Sequence, residues 1–184
     1  CGESEGSFFD LTFTRQIEDA QIIYDFVENE KFVDKENIFI RAHSMGGAVS
    51  IKLAHLKDPK GLILYAPGSN YSLENSNLIR SLDALSKSQL LGEKDLGGLR
   101  LSSKIVEDSR KYNFLEMAEE YKGKVLMVRG EKDPVIEKES MTLLEEKFMD
   151  CKYIEIENIG HNFTSYEKRL EIFALTNDFI RENI

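Results

Sequence analysis

The chain has 184 residues, of which 41% are hydrophobic, so it is long enough and apolar enough to form one domain with a buried core. Its net charge of −9, with basic residues scattered among acidic ones, argues against a nucleic-acid binder, which would present a basic face. No apolar run approaches the roughly 20 residues that a membrane span requires. Two cysteines, Cys1 and Cys151, form neither a disulfide framework nor a zinc-binding spacing, so we expect a reducing compartment, the cytoplasm.

The chain begins with cysteine rather than methionine, which indicates processing, trimming or a partial sequence. A bacterial lipoprotein also begins with cysteine after cleavage, but a loose polar tether normally follows that anchor. Here residues 2–6 lead within a few positions into a strongly patterned helix. We therefore expect part of a longer protein, and any upstream signal peptide stays open.

Short runs of β-branched residues alternate with amphipathic helices along the chain, which is typical of a mostly parallel sheet flanked by helices. The first helix is predicted to begin near Thr14, and the last near Thr164 or Ser165. The other predicted elements are strands at residues 37–42, 61–65, 124–128 and 153–157, and helices at residues 46–56 and 137–148. These elements assign the chain to the α/β class.

Helical spacing of apolar residues predicts which faces of the two terminal helices turn inward. The residues expected inside are Ile17, Ala20, Ile23, Tyr24 and Val27 in the first helix, and Leu170, Phe173, Ala174 and Phe179 in the last.

The pattern changes in residues 68–121, which are rich in serine, leucine and lysine and are interrupted by glycines. We predict short helices at residues 78–85 and 114–121 and no good strand. Asn113, with Glu116 three residues later, is a helix-capping pattern. Because long insertions in compact domains are usually functional, we predict a helical cap over a site, inserted into a core of residues 1–67 and 122–184.

Three acidic side chains of this predicted cap are candidates for contact with a substrate, although an ordinary surface position is the simpler interpretation of each. They are Asp83, Asp95 and Asp108.

A turn between a predicted strand and a predicted helix carries the segment Ala-His-Ser-Met-Gly-Gly at residues 42–47. Such a turn exposes its tip residue, and small residues are required two positions before and after it. Ala42 and Gly46 occupy these positions, so Ser44 is a candidate nucleophile; a plain glycine-rich turn is the alternative. The backbone N–H of Met45, close to the positive end of the helix, is the candidate oxyanion donor.

The chain contains three histidines, and one of them lies where a catalytic base is expected. His161 follows the fourth predicted strand, at the carboxyl edge of the sheet where catalytic groups gather. A loop histidine satisfied by solvent is the alternative. We expect His43 to point away from Ser44, and His55 to be a surface or packing residue of its helix.

An acid is needed to orient the base, and the third predicted strand is followed by Asp133, with Glu131 as its nearest competitor. Ordinary turn chemistry is the alternative, because Asp-Pro is a common loop pair. The chain order Ser44, Asp133, His161 is the order of serine hydrolases whose nucleophile lies on a strand-to-helix turn. Three strand-end residues in this order together predict a catalytic triad.

Further motifs extend the pattern along nearly the whole chain, at residues 2–8, 18–20, 43–47, 64–67, 130–133 and 160–163. On these motifs the chain resembles bacterial α/β-hydrolases of the cinnamoyl or feruloyl esterase type and, more distantly, monoacylglycerol lipases. The resemblance implies an α/β-hydrolase fold, and further strands that precede these motifs in the family with a His-Gly loop for the second oxyanion N–H. Ala42 and Arg129 stand where glycine and histidine are more usual.

We therefore expect a serine hydrolase that cleaves carboxylic esters of small to medium acyl or aromatic groups, with no metal or organic cofactor. Another activity of the same fold (monoacylglycerol lipase, thioesterase or peptidase) and a non-catalytic binding module stay open as alternatives. Without the preceding strands, the strand at residues 37–42 becomes an exposed apolar edge. This edge predicts either a homodimer or dependence on a missing segment.

Overall fold

The computed structural model describes residues 5–69, 93–95 and 100–184, the short middle range by its backbone alone. The helix predicted at residues 78–85, the candidate Asp83 and the side chain of Asp95 lie outside this description. In chain order the elements are α1 (Phe13–Glu28), β1 (Phe39–His43), α2 (Met45–Lys57), β2 (Gly61–Tyr65), β3 (Glu93–Asp95), β4 (Arg100–Ser102), α3 (Lys104–Ser109), α4 (Phe114–Glu120), β5 (Lys124–Gly130), α5 (Lys138–Lys147), β6 (Cys151–Ile156) and α6 (Tyr166–Glu182).

The main sheet has four parallel strands in the order β1-β2-β5-β6, which confirms the predicted α/β class. The two central strands are buried along almost their whole length, as expected for parallel strands covered on both faces. His43 pairs with Tyr65, and Tyr65 pairs with Val128, so the carboxyl ends of β1, β2 and β5 lie side by side. This edge of the sheet is where the candidate site forms.

A second, two-stranded antiparallel sheet joins β3 to β4. The prediction of no strand within residues 68–121 is therefore wrong. Each strand has only three residues and a mostly polar sequence, so neither carries the β-branched signal on which sequence reasoning relies. Leu101 of β4 is buried in the core.

The predicted helix at residues 114–121 is confirmed as α4, and Asn113 Oδ1 accepts the N–H of Glu116 over 3.4 Å. Phe114 and Ala118 of this helix are fully buried, and Tyr121, just beyond its end, donates its hydroxyl to the carbonyl of Pro59. This end of residues 68–121 thus packs into the core. The division between core and cap stays a prediction.

The first helix is capped two residues earlier than predicted, because Thr12 and not Thr14 is the capping residue. Thr12 Oγ1 accepts the N–H of Arg15 over 3.2 Å, whereas Thr14 lies within the first turn. Thr14 has a different partner, Asp108.

The predicted inner faces of α1 and α6 are partly wrong. In α1 the side chains of Phe13, Ile17 and Tyr24 are buried, but Ile23 is 62% exposed. α1 packs mainly on α2 and α3 rather than on the sheet, so it buries a narrow stripe. Four other residues that were predicted to face inward are also exposed: Val27, Leu170, Phe173 and Ala174. The remaining large apolar residues that these two helices leave exposed are Ile22, Phe26 and Tyr166.

α6 packs against β1, one of the two edge strands of the sheet. The rings of Phe39 and Phe179 meet edge-on at 6.2 Å, and the guanidinium of Arg41 lies 6.0 Å from the ring centre of Phe173. Phe179 of α6 is buried as predicted, but Ile172 and Thr176 are buried in place of Leu170, Phe173 and Ala174. Within the described parts of the chain, no helix combines the length and apolar character that a bilayer crossing requires.

Candidate active site

Ser44 lies at a sharp turn in which β1 passes directly into α2. Its backbone has φ 54° and ψ −124°, a conformation that residues other than glycine rarely adopt. Neighbouring backbone groups hold it there: the Ser44 N–H donates to the carbonyl of Tyr65, and its carbonyl accepts the N–H groups of Gly47 and Gly68, each over 2.9 Å. Strain of this kind, locked by surrounding hydrogen bonds, is typical of functional positions.

Gly47 is the more tightly packed of the two glycines at this turn. A Cβ added to Gly47 would lie 2.4 Å from Pro67 Cβ and 2.8 Å from Pro67 Cα, whereas one on Gly46 would meet Ala42 Cβ at an ordinary 3.7 Å. Sequence reasoning assigned the steric requirement to Ala42 and Gly46. The structure shows less room at the following glycine.

Three side chains from three strand ends form one hydrogen-bonded chain. His161 Nε2 lies 2.9 Å from Ser44 Oγ, and His161 Nδ1 lies 2.8 Å from Asp133 Oδ2. With the Asp133 carboxylate as acceptor, Nδ1 carries the ring proton and Nε2 faces the serine hydroxyl as an acceptor. The Asp133 side chain is fully buried, and that of His161 is 12% exposed.

The loop after β5 holds Asp133 through one oxygen of its carboxylate. Asp133 Oδ1 accepts the N–H groups of Val135 and Ile136 over 2.8 Å and 2.9 Å, which leaves Oδ2 directed at His161. Glu131, the competing candidate, binds the N–H of Asn158 over 2.9 Å instead. The structure therefore brings Asp133, and not Glu131, to the histidine.

Arg129 supports this loop from below. Its Nε donates to the carbonyl of Ile136 over 2.7 Å, its Nη2 to the carbonyl of Asp133 over 3.1 Å, and its Nη1 to Glu155 over 2.9 Å. The hydrogen bond from Lys138 to Glu155, together with the charges of Lys138 and Arg129, outweighs burial and lowers the pKa of Glu155. The acid loop thus rests on a buried cation with a charged partner.

The histidine loop packs directly against the acid loop. Lys132 N–H donates to the carbonyl of Ile159 over 3.0 Å, and a Cβ on Gly130 would lie only 2.3 Å from that carbonyl oxygen. The loop closes with a hydrogen bond from the N–H of Phe163 to the carbonyl of Gly160 over 3.2 Å, with Phe163 at φ 48°. The relative positions of base and acid therefore depend on this backbone contact.

The other two histidines have definite partners. His43 does not simply point away, because its Nε2 lies 2.9 Å from the carbonyl oxygen of His161 and the two rings are 4.8 Å apart. Nothing in the sequence except its position beside Ser44 indicated this contact. His55 pairs with Glu120 of α4 over 2.8 Å, in agreement with a surface or packing role.

Met45 is the first residue of α2, so its N–H lies at the helix end where partial positive charge accumulates. Within the described part of the chain, no acceptor is hydrogen-bonded to this N–H. Its role as an oxyanion donor stays a prediction. The Met45 side chain receives a contact from the amide of Gln16, with 3.7 Å between Nε2 and Sδ.

Asp108 is neither at the surface nor at the candidate site. It is 5% exposed and accepts the N–H and the hydroxyl of Thr14 over 2.7 Å and 2.8 Å. Lys111 pairs with the same carboxylate over 2.7 Å. Asp108 therefore joins α3 to the first turn of α1, a contact across 94 residues of sequence that no local pattern could predict.

A pocket of about 360 Å³ adjoins the histidine loop on the side of α6. It is lined by Arg41, Ala42, His43, Tyr65, Asn162, Phe163, Arg169, Ile172 and Phe173. The pocket combines an apolar floor with cationic side chains from β1 and α6.

The profile of one protein family, described as serine aminopeptidase S33, matches residues 1–111. The chain belongs to this family. The matched region includes Ser44 and Met45, whereas Asp133 and His161 lie beyond it. No curated protein sequence matches the chain.

Solved structures of other proteins share the fold of this S33-family chain. Est1E from Butyrivibrio proteoclasticus with bound ferulic acid has a TM-score of 0.82 at 22% identity, over 99% of this chain and 73% of that chain. A monoacylglycerol lipase from Paleococcus ferrophilus has a TM-score of 0.69 at 18% identity, over 95% and 77%. The esterase domain of a Rhodothermus marinus protein has a TM-score of 0.68 at 14% identity, over 98% and 71%. The expected α/β-hydrolase fold is confirmed.

Proposed function

We propose that the chain is a serine hydrolase that cleaves carboxylic esters of small to medium acyl or aromatic groups. The observation that carries the proposal is the hydrogen-bonded chain from Ser44 through His161 to Asp133, with separations of 2.9 Å and 2.8 Å. A nucleophile, a base and an acid within hydrogen-bond reach of one another form the arrangement that activates a serine hydroxyl.

In this mechanism His161 Nε2 takes the hydroxyl proton as Ser44 Oγ attacks the ester carbonyl. The carbonyl oxygen becomes an oxyanion, and the N–H of Met45 at the start of α2 stabilises it. The tetrahedral intermediate collapses, the C–O bond to the alcohol breaks, and His161 returns the proton to the departing oxygen. The product of this half-reaction is an acyl-enzyme on Ser44.

Water then completes the reaction by the same route. His161 removes a proton from water, which attacks the acyl carbonyl, and the acid is released as Ser44 recovers its proton. Asp133 keeps the ring of His161 in the tautomer that accepts at Nε2 and stabilises the imidazolium that forms at each step. Because the Asp133 side chain is fully buried, water screens this interaction little.

Ester substrates are supported by the names of the structural relatives, which include Est1E with bound ferulic acid, an esterase domain and a monoacylglycerol lipase. A second candidate function, peptide cleavage from an amino terminus, is favoured by the match to the serine aminopeptidase family. Both reactions are acyl transfers to water, and they differ in the leaving group.

The test is labelling with a fluorophosphonate probe, with the adduct located by mass spectrometry. We expect an adduct on Ser44 that Ser44→Ala abolishes. Ser50→Ala is the matched control, because Ser50 is a buried serine of α2, the helix that follows Ser44. Label elsewhere on the chain, or equal label in Ser44→Ala, would contradict the proposal.

A substrate panel then separates the two functions. Methyl ferulate, short-chain p-nitrophenyl esters and a monoacylglycerol are compared with aminoacyl p-nitroanilides at equal concentration. Turnover of the esters but not of the anilides supports the esterase. Turnover of the anilides alone replaces it with the peptidase, and no turnover together with no labelling of Ser44 favours a binding module.

We also propose that the chain acts in the cytoplasm. The outer edge of β1 pairs either with a second copy of the chain or with a further segment of the protein. Among the residues described, no strand pairs with this edge, and α1 exposes Ile22, Ile23 and Phe26. Unpaired edges and apolar surface together favour pairing with another chain. Light scattering over a range of concentrations tests the homodimer, and a mass that remains monomeric would contradict the homodimer.

A further inference from the structure

His43 and His161 lie against each other in a way that the triad does not require. Their ring centres are 4.8 Å apart with an angle of 39° between the planes. His43 Nε2 lies 2.9 Å from the main-chain carbonyl oxygen of His161. A carbonyl can only accept, so the proton of this hydrogen bond is on His43 Nε2. The side chain next to the candidate nucleophile thus binds the backbone of the candidate base.

The loop at residues 160–163 packs against the acid loop on one side, and few hydrogen bonds hold its own backbone. Its internal hydrogen bond runs from the Phe163 N–H to the Gly160 carbonyl, and Phe163 has φ 48°, which is costly for an aromatic residue. Within the described parts of the chain, His43 is the only side chain that donates a hydrogen bond to the backbone of this loop. His43 therefore holds the His161 backbone from one side, while Asp133 and Ser44 hold the imidazole.

The His43 ring also packs against another aromatic ring, a contact that is separate from its hydrogen bond. The Phe163 ring meets His43 edge-on at 5.8 Å and Tyr65 edge-on at 5.9 Å. His43 is the last residue of β1, and its strand pairing with Tyr65 fixes its backbone. A rigid strand thus offers one donor to a strained loop.

We propose that His43 is a positioning residue, whose Nε2–H holds the His161 carbonyl and so sets the distance between the His161 imidazole and Ser44. The inference rests on the proposed function, because it concerns the geometry of that nucleophile and base. A misplacement of about 1 Å in reacting groups costs about 10²-fold in rate. The loss appears in the chemical step and leaves ground-state binding unchanged.

Two substitutions separate the hydrogen bond from the packing. His43→Phe keeps an aromatic ring against Phe163 and removes the donor. His43→Gln loses the ring but places an amide N–H near the position of Nε2. His55→Gln is the matched control, since His55 pairs with Glu120 on the helix surface.

The measurement is the second-order rate of labelling of Ser44 by the fluorophosphonate, with unfolding in urea recorded for each variant. We expect His43→Phe to label about 10²-fold more slowly, at a stability close to that of the unchanged chain. His43→Gln recovers most of the rate, and His55→Gln labels as the unchanged chain does. With an ester substrate, the loss in His43→Phe falls on kcat rather than on KM.

The outcomes distinguish this inference from the proposed function. Normal labelling of the unchanged chain with equally fast labelling of His43→Phe overturns the inference and leaves the function intact. Slow labelling of both His43 variants assigns the effect to the ring and also overturns the donor role. An unchanged chain that does not label overturns the proposed function, and the inference with it.

Discussion

The guanidinium of Arg129 donates to the main-chain carbonyl of Asp133 over 3.1 Å, so a buried cation holds the backbone of the acid loop. The same side chain reaches the carbonyl of Ile136 and the carboxylate of Glu155. Three acceptors in different directions require the planar fork of arginine, which the single ammonium of lysine cannot match.

We therefore predict that Arg129→Met lowers the free energy of unfolding by about 3–5 kcal/mol, because it removes one partner of a mostly buried ion pair and leaves two carbonyls without their donor. Arg129→Lys keeps the charge and loses the fork, so its free energy of unfolding should lie between those of the unchanged chain and Arg129→Met. Urea unfolding measures the change. Arg15→Met, at an exposed position of α1, should leave stability nearly unchanged; equal losses at both sites would refute the assignment.

Asp133→Asn is expected to lower kcat by about 10⁴-fold, because it favours the wrong tautomer of His161. The amide oxygen can keep the two bonds from Val135 and Ile136, so the amide nitrogen faces His161 Nδ1. That ring nitrogen must then accept, which puts the proton on Nε2, where it cannot receive the proton of Ser44. Steady-state ester kinetics check this, with Glu131→Gln as control; a comparable loss in the control would reassign the acid.

The two glycines of the nucleophile turn should respond differently to a methyl group. In Gly47→Ala the new Cβ would lie 2.4 Å from Pro67 Cβ, so α2 must shift away from the loop that follows β2. We expect a loss of stability of about 1–3 kcal/mol from this overpacking, together with slower fluorophosphonate labelling. Gly46→Ala has room, at 3.7 Å from Ala42, and should label normally. Equal effects at both positions would contradict the packing argument.

Local patterns predict this fold well where one strand or one turn decides the outcome. The bounds of β2, Gly61–Tyr65, agree with the prediction because a short apolar run closed by Pro67 has one natural interpretation. In a parallel sheet, consecutive carboxyl ends meet at one edge. For that reason the candidates after β1, β5 and β6 could be chosen from sequence, and the structure brings Ser44, Asp133 and His161 into hydrogen-bond contact.

Contacts between distant elements could not be predicted in this way. Helical spacing placed Ile23 and Phe173 inside, but the inner face of a helix depends on what it packs against, and α1 lies on other helices. His43 has no distinguishing neighbour in sequence, since its partner is the backbone carbonyl of a residue 118 positions away. Asp108 was interpreted as a surface residue because its partner Thr14 is also distant in sequence.

The buried carboxylate of Asp108 makes a prediction about acid stability. Burial by itself would raise the pKa of Asp108, but the hydrogen bonds from Lys111 and Thr14 outweigh it and hold the pKa below the ordinary value of 3.8. A carboxyl group whose pKa is lower in the folded chain than in the unfolded chain stabilises the fold above the unfolded value. That contribution is lost as the pH falls from 3.8 through the folded value.

Asp108→Asn should therefore lower the free energy of unfolding by about 1–3 kcal/mol at neutral pH, where it weakens the bonds to Thr14 and Lys111. The difference between the variant and the unchanged chain should shrink as the pH falls below 3.8, because both then carry a neutral group at this position. Urea unfolding at a series of pH values measures it, with Asp178→Asn on the exposed side of α6 as control. A difference that stays constant down to acid pH would show that the charge of Asp108 does not stabilise the contact between α3 and α1.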